Sequence, residues 1–468
     1  MKSTKKAPIL YFILLLLFFP GPGGTGLAKD SLQGNTSKVL VPANTVLTLA
    51  RAKSIALENS PSLASVRERV TQAKETIVQA RAGYLPTLSL NGSWEYTEKT
   101  AATEADKTLY SHGISASQIL FDGFERKYAL ISAKSAERQS IEAEKQAQSL
   151  LVWSVASAYL SVQQALEEIK IAQSDMEYNQ NLAKVALAKQ KAGTGSLSDL
   201  LNFETQANSA QSALIDTRQA YKEAAYVLAA LMGYADSRLP KGTEPTLPDV
   251  NGLLPDQVSL NQVSWNQALQ ESDEEMKTIL EKRFDLKQSR YAIQAAQARI
   301  QEEKSGFFPT ISLTGSYGVS SAEKSDHLSD TDYMGACLGV NVSFELFSGG
   351  ATRSRVREAI SKKQALEKDL EDAKIMAQAE IRGAADKIVS AREKFLLQEK
   401  NAGLLQKTRD LVEKEYRVGQ ASLVRLNEVQ NNLVATLGDL AAARVSLILA
   451  LEAFDYYTGQ NIKALITP

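Results

Sequence analysis

One cysteine (Cys337) and two histidines (His112 and His327) are all that 468 residues contain. So few thiols and imidazoles nearly exclude a Cys/His metal centre, rule out a disulfide framework and leave most acid–base mechanisms without their usual groups. Charge of one sign is also missing. Lys+Arg number 53 against 54 Asp+Glu, a formal charge of −1, and no global field points towards nucleic acid. No phosphate loop, metal cluster or nucleophile constellation is found, so neither an enzyme nor a cofactor is expected. After residue 28 no apolar run reads as long enough to span a bilayer as a helix, so any crossing must use strands.

The N-terminus has what the rest lacks. Lys2, Lys5 and Lys6 precede "ILYFILLLLFF", and small residues follow up to Ala28. A charged start, a short apolar run and a small-residue cut form an export signal over 1–28. No cysteine follows the cut, so lipid anchoring there is not expected.

The mature chain is a duplication. "GYLPTLSLNGS" from Gly83 returns as "GFFPTISLTGS" from Gly306, an offset of 223. "LFDG" from Leu120 returns as "LFSG" from Leu346, "AGTGSLSDLL" from Ala192 as "VGQASLVRLN" from Val418, and Gly233 as Gly459, each at an offset of 226. The three extra residues belong to the polar stretch "SSAEKSDHLSDT". Periods this long mark tandem structural units. The predicted first repeat, 29–238, holds a helical run (Ala50 to Ala82), a β-hairpin at about 86–121, a long helix at about 123–192 and a return helix at about 196–232. A proline-rich linker, 239–261, leads to the second repeat, 262–468, with its helical run to Ser305, a hairpin at about 309–347, a long helix at about 350–418 and a return helix at about 422–458.

The long helices carry coiled-coil spacing: Val152, Val155, Tyr159, Val162, Leu166 and Ile169 alternate by three and four. The hairpins alternate by two. Leu88, Leu90, Trp94 and Tyr96 share one face in the first strand, and Met334 through Leu346 one face in the last. In "YSHGISASQILF" Ile114, Ala116 and Leu120 are apolar, but His112 and Gln118 share their face and weaken it. A half-buried strand of a soluble sheet would alternate too. Two features favour a bilayer: the segments are long enough to cross at a tilt, and aromatic residues gather towards both ends. Tyr84, Phe121, Phe307, Phe308 and Phe347 form one predicted lipid-facing girdle; Trp94, Tyr96, Tyr110, Tyr317 and Tyr333 form the other. Cys337 falls on the polar face. Four strands cannot close, and open edges are not tolerated in lipid, so several chains must pool strands, two giving eight or three giving twelve.

With export signal, duplicated halves, "GxxPTxSL" strand starts, "LF[DS]G" strand ends and "GxxSL" helix breaks together, the chain resembles the TolC outer-membrane efflux protein family over nearly all of its mature length. The resemblance implies an α+β membrane protein: a trimeric 12-stranded outer-membrane β-barrel, four strands per chain, continued by a long α-helical coiled-coil tunnel in the periplasm. It implies a homotrimer set in outer-membrane lipid, an exit duct for an inner-membrane transporter joined through a periplasmic adaptor, with no nucleic acid, metal or cofactor. The breaks at Gly193, Gly195, Ser196 and Leu197 and at Gly419, Ala421, Ser422 and Leu423 would be the adaptor-docking tips. Tyr416 and Asp199 match the family's gating tyrosine and acid, and the two second-half acids fall on Arg425 and Glu428. The gating arginine falls on Ala421, with Arg417 and Arg425 near enough to substitute. An entrance ring containing Arg425 would carry a weaker negative field. The competing reading is a non-conducting coiled-coil structural or adhesive envelope protein, against which stands the polar face repeated on all four strands.

If the hairpin loops face outward, an epitope inserted after Ser325 labels intact cells. Labelling only after permeabilisation would reverse the topology.

Overall fold

A computed structural model describes residues 46–98, 107–240, 244–245, 273–324 and 331–461. The export signal, residues 262–272 and the Ser325 loop position lie outside these ranges, as does the linker except 239–240 and 244–245.

Strand β1 (Val46–Leu47) precedes helices α1 (Leu49–Asn59) and α2 (Pro61–Ala82). The sequence reads as one helical run here, but Ser60 and Pro61 divide it. Proline lacks the N–H a continuing helix needs and suits the first turn of a new one, whose Leu63 N–H donates to the Ser60 hydroxyl. The hairpin β2 (Thr87–Thr97) and β3 (Lys107–Phe121) follows, then α3 (Glu125–Lys191) and α4 (Leu197–Leu231). β4 (Glu244–Pro245) pairs in parallel with β1, and the buried Tyr159 of α3 donates its hydroxyl to the Leu47 carbonyl at 2.6 Å.

The second unit repeats this order. α5 (Asp273–Lys282) and α6 (Phe284–Glu303) are divided at Arg283, whose guanidinium binds Asp285, Glu380 and the Tyr457 carbonyl. β5 (Thr310–Lys324), β6 (Thr331–Ser343), α7 (Ala351–Arg417) and α8 (Leu423–Tyr457) complete it. Both long helices have 67 residues and both return helices 35. At 1.5 Å per residue each long helix runs about 100 Å. The duplicated glycines keep their conformation as well: φ is +65° and +62° at Gly123 and Gly349, +73° and +81° at Gly193 and Gly419, and +82° and +70° at Gly233 and Gly459.

The two hairpins join into one antiparallel sheet of order β2–β3–β5–β6. Its register sorts the residues into two faces. Leu90, Ile114, Tyr317 and Ala336 align in one rank, and Ser89, Ser115, Ser316 and Cys337 in another. The apolar face is bare: Leu88 is 75% exposed, Leu90 71%, Leu338 78% and Val340 64%. On the polar face, Asn91 Nδ2 donates to Ser115 Oγ at 2.8 Å, and the Ser93 and Ser111 hydroxyls lie 2.7 Å apart. Gln118, polar on the apolar face, is occupied locally. Its amide donates to the carbonyls of Tyr84 and Ile119, beside a bulge between Ile119 and Phe121.

Three expectations change. Tyr317 pairs with Ile114 and Ala336 in the middle of its strand, so it belongs to the apolar face but not to an end girdle. Tyr333 pairs with Ser320, in the polar ranks, because alternation gives the apolar ranks to its neighbour Met334. β6 ends at Ser343 rather than running on to Phe347, because its partner β5 starts only at Thr310, after Pro309.

A fourth change concerns α8, which is long and apolar enough by composition to cross a membrane. Packing engages one face of it. Val445, Leu447, Ile448 and Ala450 bury against Leu160 of α3 and Ile388 and Phe395 of α7. Only 28% of its most apolar window is buried within one chain, so this packing accounts for part of that apolarity. Polar links also tie the repeats here: Lys53 of α1 to Glu452 of α8 at 2.6 Å, and Ser149 of α3 to Asn461 by two hydrogen bonds.

The first strand-to-helix junction is braced by Arg126. It pairs with Asp122, donates to the carbonyls of Gly83 and Ile119 and lies 5.0 Å over the Tyr84 ring. In the second repeat that position is Thr352, bonded to Ser348 and Arg355.

The glycine conformations predict unequal costs. A Cβ on Gly233 would sit 2.5 Å from the Asn59 carbonyl oxygen, whereas one on Gly419 would meet nothing within 4 Å. Gly233→Ala should cost about 2–4 kcal/mol, from backbone strain plus overlap, and Gly419→Ala about 1 kcal/mol from strain alone. Thermal unfolding followed by circular dichroism compares them; equal shifts would contradict the packing argument.

Candidate functional site: the helix tips

Each long helix ends in the same way. After Lys191 the Thr194 and Gly195 N–H groups donate to the Lys189 carbonyl, and after Arg417 the Gln420 and Ala421 N–H groups donate to the Glu415 carbonyl. The left-handed Gly193 and Gly419 make these reversals possible. Ser196 then caps α4 by accepting from Ser198 N–H at 3.1 Å, and Ser422 caps α8 by accepting from Arg425 N–H at 3.2 Å. Leu197 is exposed and Leu423 half-buried.

Below the breaks four helices share an apolar core of Leu182, Ala186, Leu200, Phe203, Val412 and Leu426. Tyr416 packs on it, edge-on to Phe203 with ring centroids 6.0 Å apart, and the Lys189 ammonium stands 5.6 Å from its ring centroid. From that position the Tyr416 hydroxyl donates to Asp199 Oδ2 at 3.2 Å, across 217 residues of sequence. Burial, and after it the Asp199 charge and hydrogen bond, push the Tyr416 pKa up to about 12, so the phenol remains a proton donor through the physiological range.

The other charged candidates do not cross between repeats. Arg417 pairs with Glu413 at 2.5 Å and Arg425 with Glu415 at 3.3 Å, both acids lying on α7. Arg425 and Glu415 are 57% and 40% exposed in their side chains, so this pair contributes little to holding the hairpin. Glu428 is exposed, and Ala421 packs against the apolar core where the family resemblance places an arginine.

Two cross-links escaped the sequence reading. Asn427 of α8 donates to Asn202 of α4 at 2.7 Å, and Gln430 of α8 donates to Asp175 of α3 at 2.7 Å. A signal existed for the second: Gln430 interrupts the apolar stripe Leu426, Leu433, Leu437. Together with Tyr416–Asp199 these make three polar rungs between the first-repeat hairpin, α3 and α4, and the second, α7 and α8. Beside them Arg409 lies 4.9 Å over Tyr178.

A membrane-facing strand sheet carried on duplicated long helical hairpins with polar-latched tips defines the class: an outer-membrane channel with a helical tunnel. The family model described as outer membrane efflux protein matches residues 53–234 and 276–460, one segment in each repeat, and the chain belongs to that family. It is similar to the outer membrane efflux protein BepC of Brucella suis biovar 1, 26% identical over 88% of this chain and 85% of that protein. It is also similar to the outer membrane protein TolC of Vibrio cholerae, 23% identical over 86% of this chain and 88% of that one. Among solved structures the outer-membrane channel OprN superposes with a TM-score of 0.74 at 18% identity, covering 88% of this chain and 90% of its own. The protein is an outer-membrane efflux channel with a large periplasmic part.

If the tyrosine bond holds the tip, Tyr416→Phe retains the ring packing and loses one hydrogen bond, worth about 1 kcal/mol. Tyr416→Phe and Asp199→Ala should then raise single-channel conductance in planar bilayers, each by a similar factor. Unchanged conductance in both would remove these residues from the closure.

Proposed function

We propose that three copies pool their sheets into a closed twelve-stranded barrel continued by a helical tunnel. This passive duct serves an inner-membrane transporter through a periplasmic adaptor, with no chemistry of its own. The carrying observation is the pair of open edges: among the described residues of one chain, β2 and β6 each have a strand on one side only. In hydrocarbon those backbone groups need partners, and β6 of one copy against β2 of the next supplies them.

The helices support the same assembly. Leu397, Leu404 and Leu411 on α7, and Val418 just past its end, recur every seven residues and are 61%, 54%, 60% and 71% exposed. A heptad stripe left bare in one chain is what a neighbouring helix would cover. Residues 1–28 serve as the cleaved export signal, and 239–261 join the repeats. Lipid contacts come from Tyr84, Trp94, Tyr96, Tyr110, Phe121, Phe307, Phe308 and Phe347 at the ends of the sheet, with Tyr317 at its middle.

At the periplasmic end the reversals at Gly193–Leu197 and Gly419–Leu423 meet the adaptor. Asp199 and Tyr416 hold the entrance closed, and Arg417, Arg425 and Glu428 set the charge around it. Adaptor contact separates the two hairpins and opens the duct.

The deciding experiment is the native mass of the mature protein extracted in detergent from isolated outer membranes, corrected for bound detergent. Three protomers are expected. A monomer recovered without detergent from the soluble periplasm would sink the shared barrel.

A further inference from the structure

Gln430 is 7% exposed, and its two ends are unequally served. Nε2 donates to Asp175 Oδ1, whereas Oε1 is buried and accepts no hydrogen bond. Asp175 Oδ1 accepts a second bond, from Asn179 Nδ2 at 3.1 Å. An ionised carboxylate offers only acceptors and cannot satisfy Oε1; a protonated one carries an O–H donor. A carboxylic acid beside a carboxamide completes a two-bond ring, N–H to Oδ1 and O–H to Oε1. A buried amide oxygen left without a donor carries a cost that this proton would remove.

We propose that Asp175 takes up a proton and donates a hydrogen bond through it to Gln430 Oε1, which makes the α3–α8 link an acid-strengthened latch near the helix tips. The tunnel of such a protein is then held more tightly shut in an acidified periplasm.

Burial agrees with this. It raises the Asp175 pKa above the ordinary carboxylate range, with the Gln430 and Asn179 bonds pulling the other way. The field at the carboxyl is set by α8 and by its own helix. On α7, Arg409 and Glu413 act on the neighbouring Tyr178. A carboxyl with a raised folded-state pKa burdens the fold above that pKa. The burden lifts as pH falls through it, so the contact gains stability on the acid side.

The latch rests on the reading of the tips as an entrance that opens by hairpin separation, and its test keeps the two apart. The full-length mature protein is reconstituted in planar bilayers and recorded from neutral pH down through the ordinary aspartate range, about 3.9. The ratio of closed to open should rise on the order of fivefold per protomer, the effect of one added buried hydrogen bond. Asp175→Asn supplies a permanent N–H donor to Oε1. It should show the wild type's acid behaviour at neutral pH and lose the Asp175 part of the pH response. Gln430→Leu should lose the same response with the tips loosened. Infrared difference spectra of the same samples read the proton directly, as a carboxylic-acid carbonyl band that appears on acidification and is missing in Asp175→Asn.

A wild-type minus Asp175→Asn difference that lacks the band overturns the proton. A band present with an unaltered conductance response in Asp175→Asn overturns the latch. Tyr416→Phe in parallel reports on the entrance itself: if it leaves conductance unchanged while the band is present, the entrance reading fails and the protonated pair stands as a structural contact only.

Discussion

Everything in this chain answers to the backbone of two edge strands. A four-stranded sheet leaves the outer N–H and C=O groups of β2 and β6 without strand partners, and lipid offers no water to bind them. No side-chain chemistry removes that problem; only another strand does. The chain is therefore a segment of a structure that must be completed by copies of itself. The duplication follows naturally, because two hairpins that pair with each other as β3 and β5 already contain the contact that β6 and β2 must make between molecules. A repeat able to pair internally is one step from pairing externally.

The same logic runs along the helices. Equal lengths in both repeats keep the two hairpin tips at corresponding positions, and the matched left-handed glycines keep the reversals alike. Where the repeats differ, the differences lie where the two hairpins meet distinct surroundings. The first strand-to-helix junction is braced by Arg126 against carbonyls of its own unit, while the second, at Gly349 and Gly350, has no heavy atom near enough to meet an added Cβ.

Much of this was legible from residue types and spacing. Period-two alternation located the strands, because one face meets lipid and the other water. Period-3.5 spacing located the long helices, because one seam meets a partner. Tyr416 and Asp199 were found through the family resemblance, and the geometry places them together. What escaped were features that depend on register or on contacts distant in sequence. Tyr317 and Tyr333 are aromatic residues in strands, yet only the pairing with Ile114 and with Ser320 says which end or face each occupies. The break at Arg283 has no proline to announce it, since it is held by Asp285, Glu380 and Tyr457. α8 is apolar enough to pass for a spanning helix, and one face of it packs on α3 and α7.

The two ends of the molecule differ in how firmly they are held. Barrel strands joined by continuous ladders of eleven or more paired residues, as β2 and β3 are, cannot part in lipid without exposing a whole row of backbone groups. The tips are joined by three side-chain rungs over a small apolar core, each rung worth about 1 kcal/mol net. Their ion pairs, half-exposed and within one hairpin, add still less. Parting the tips therefore costs a few kcal/mol per protomer, far less than parting the barrel strands. The division of strength follows from solvent. Where water is excluded on one face, the closed ladder is obligatory. Where water reaches the helices, side-chain rungs of modest strength suffice.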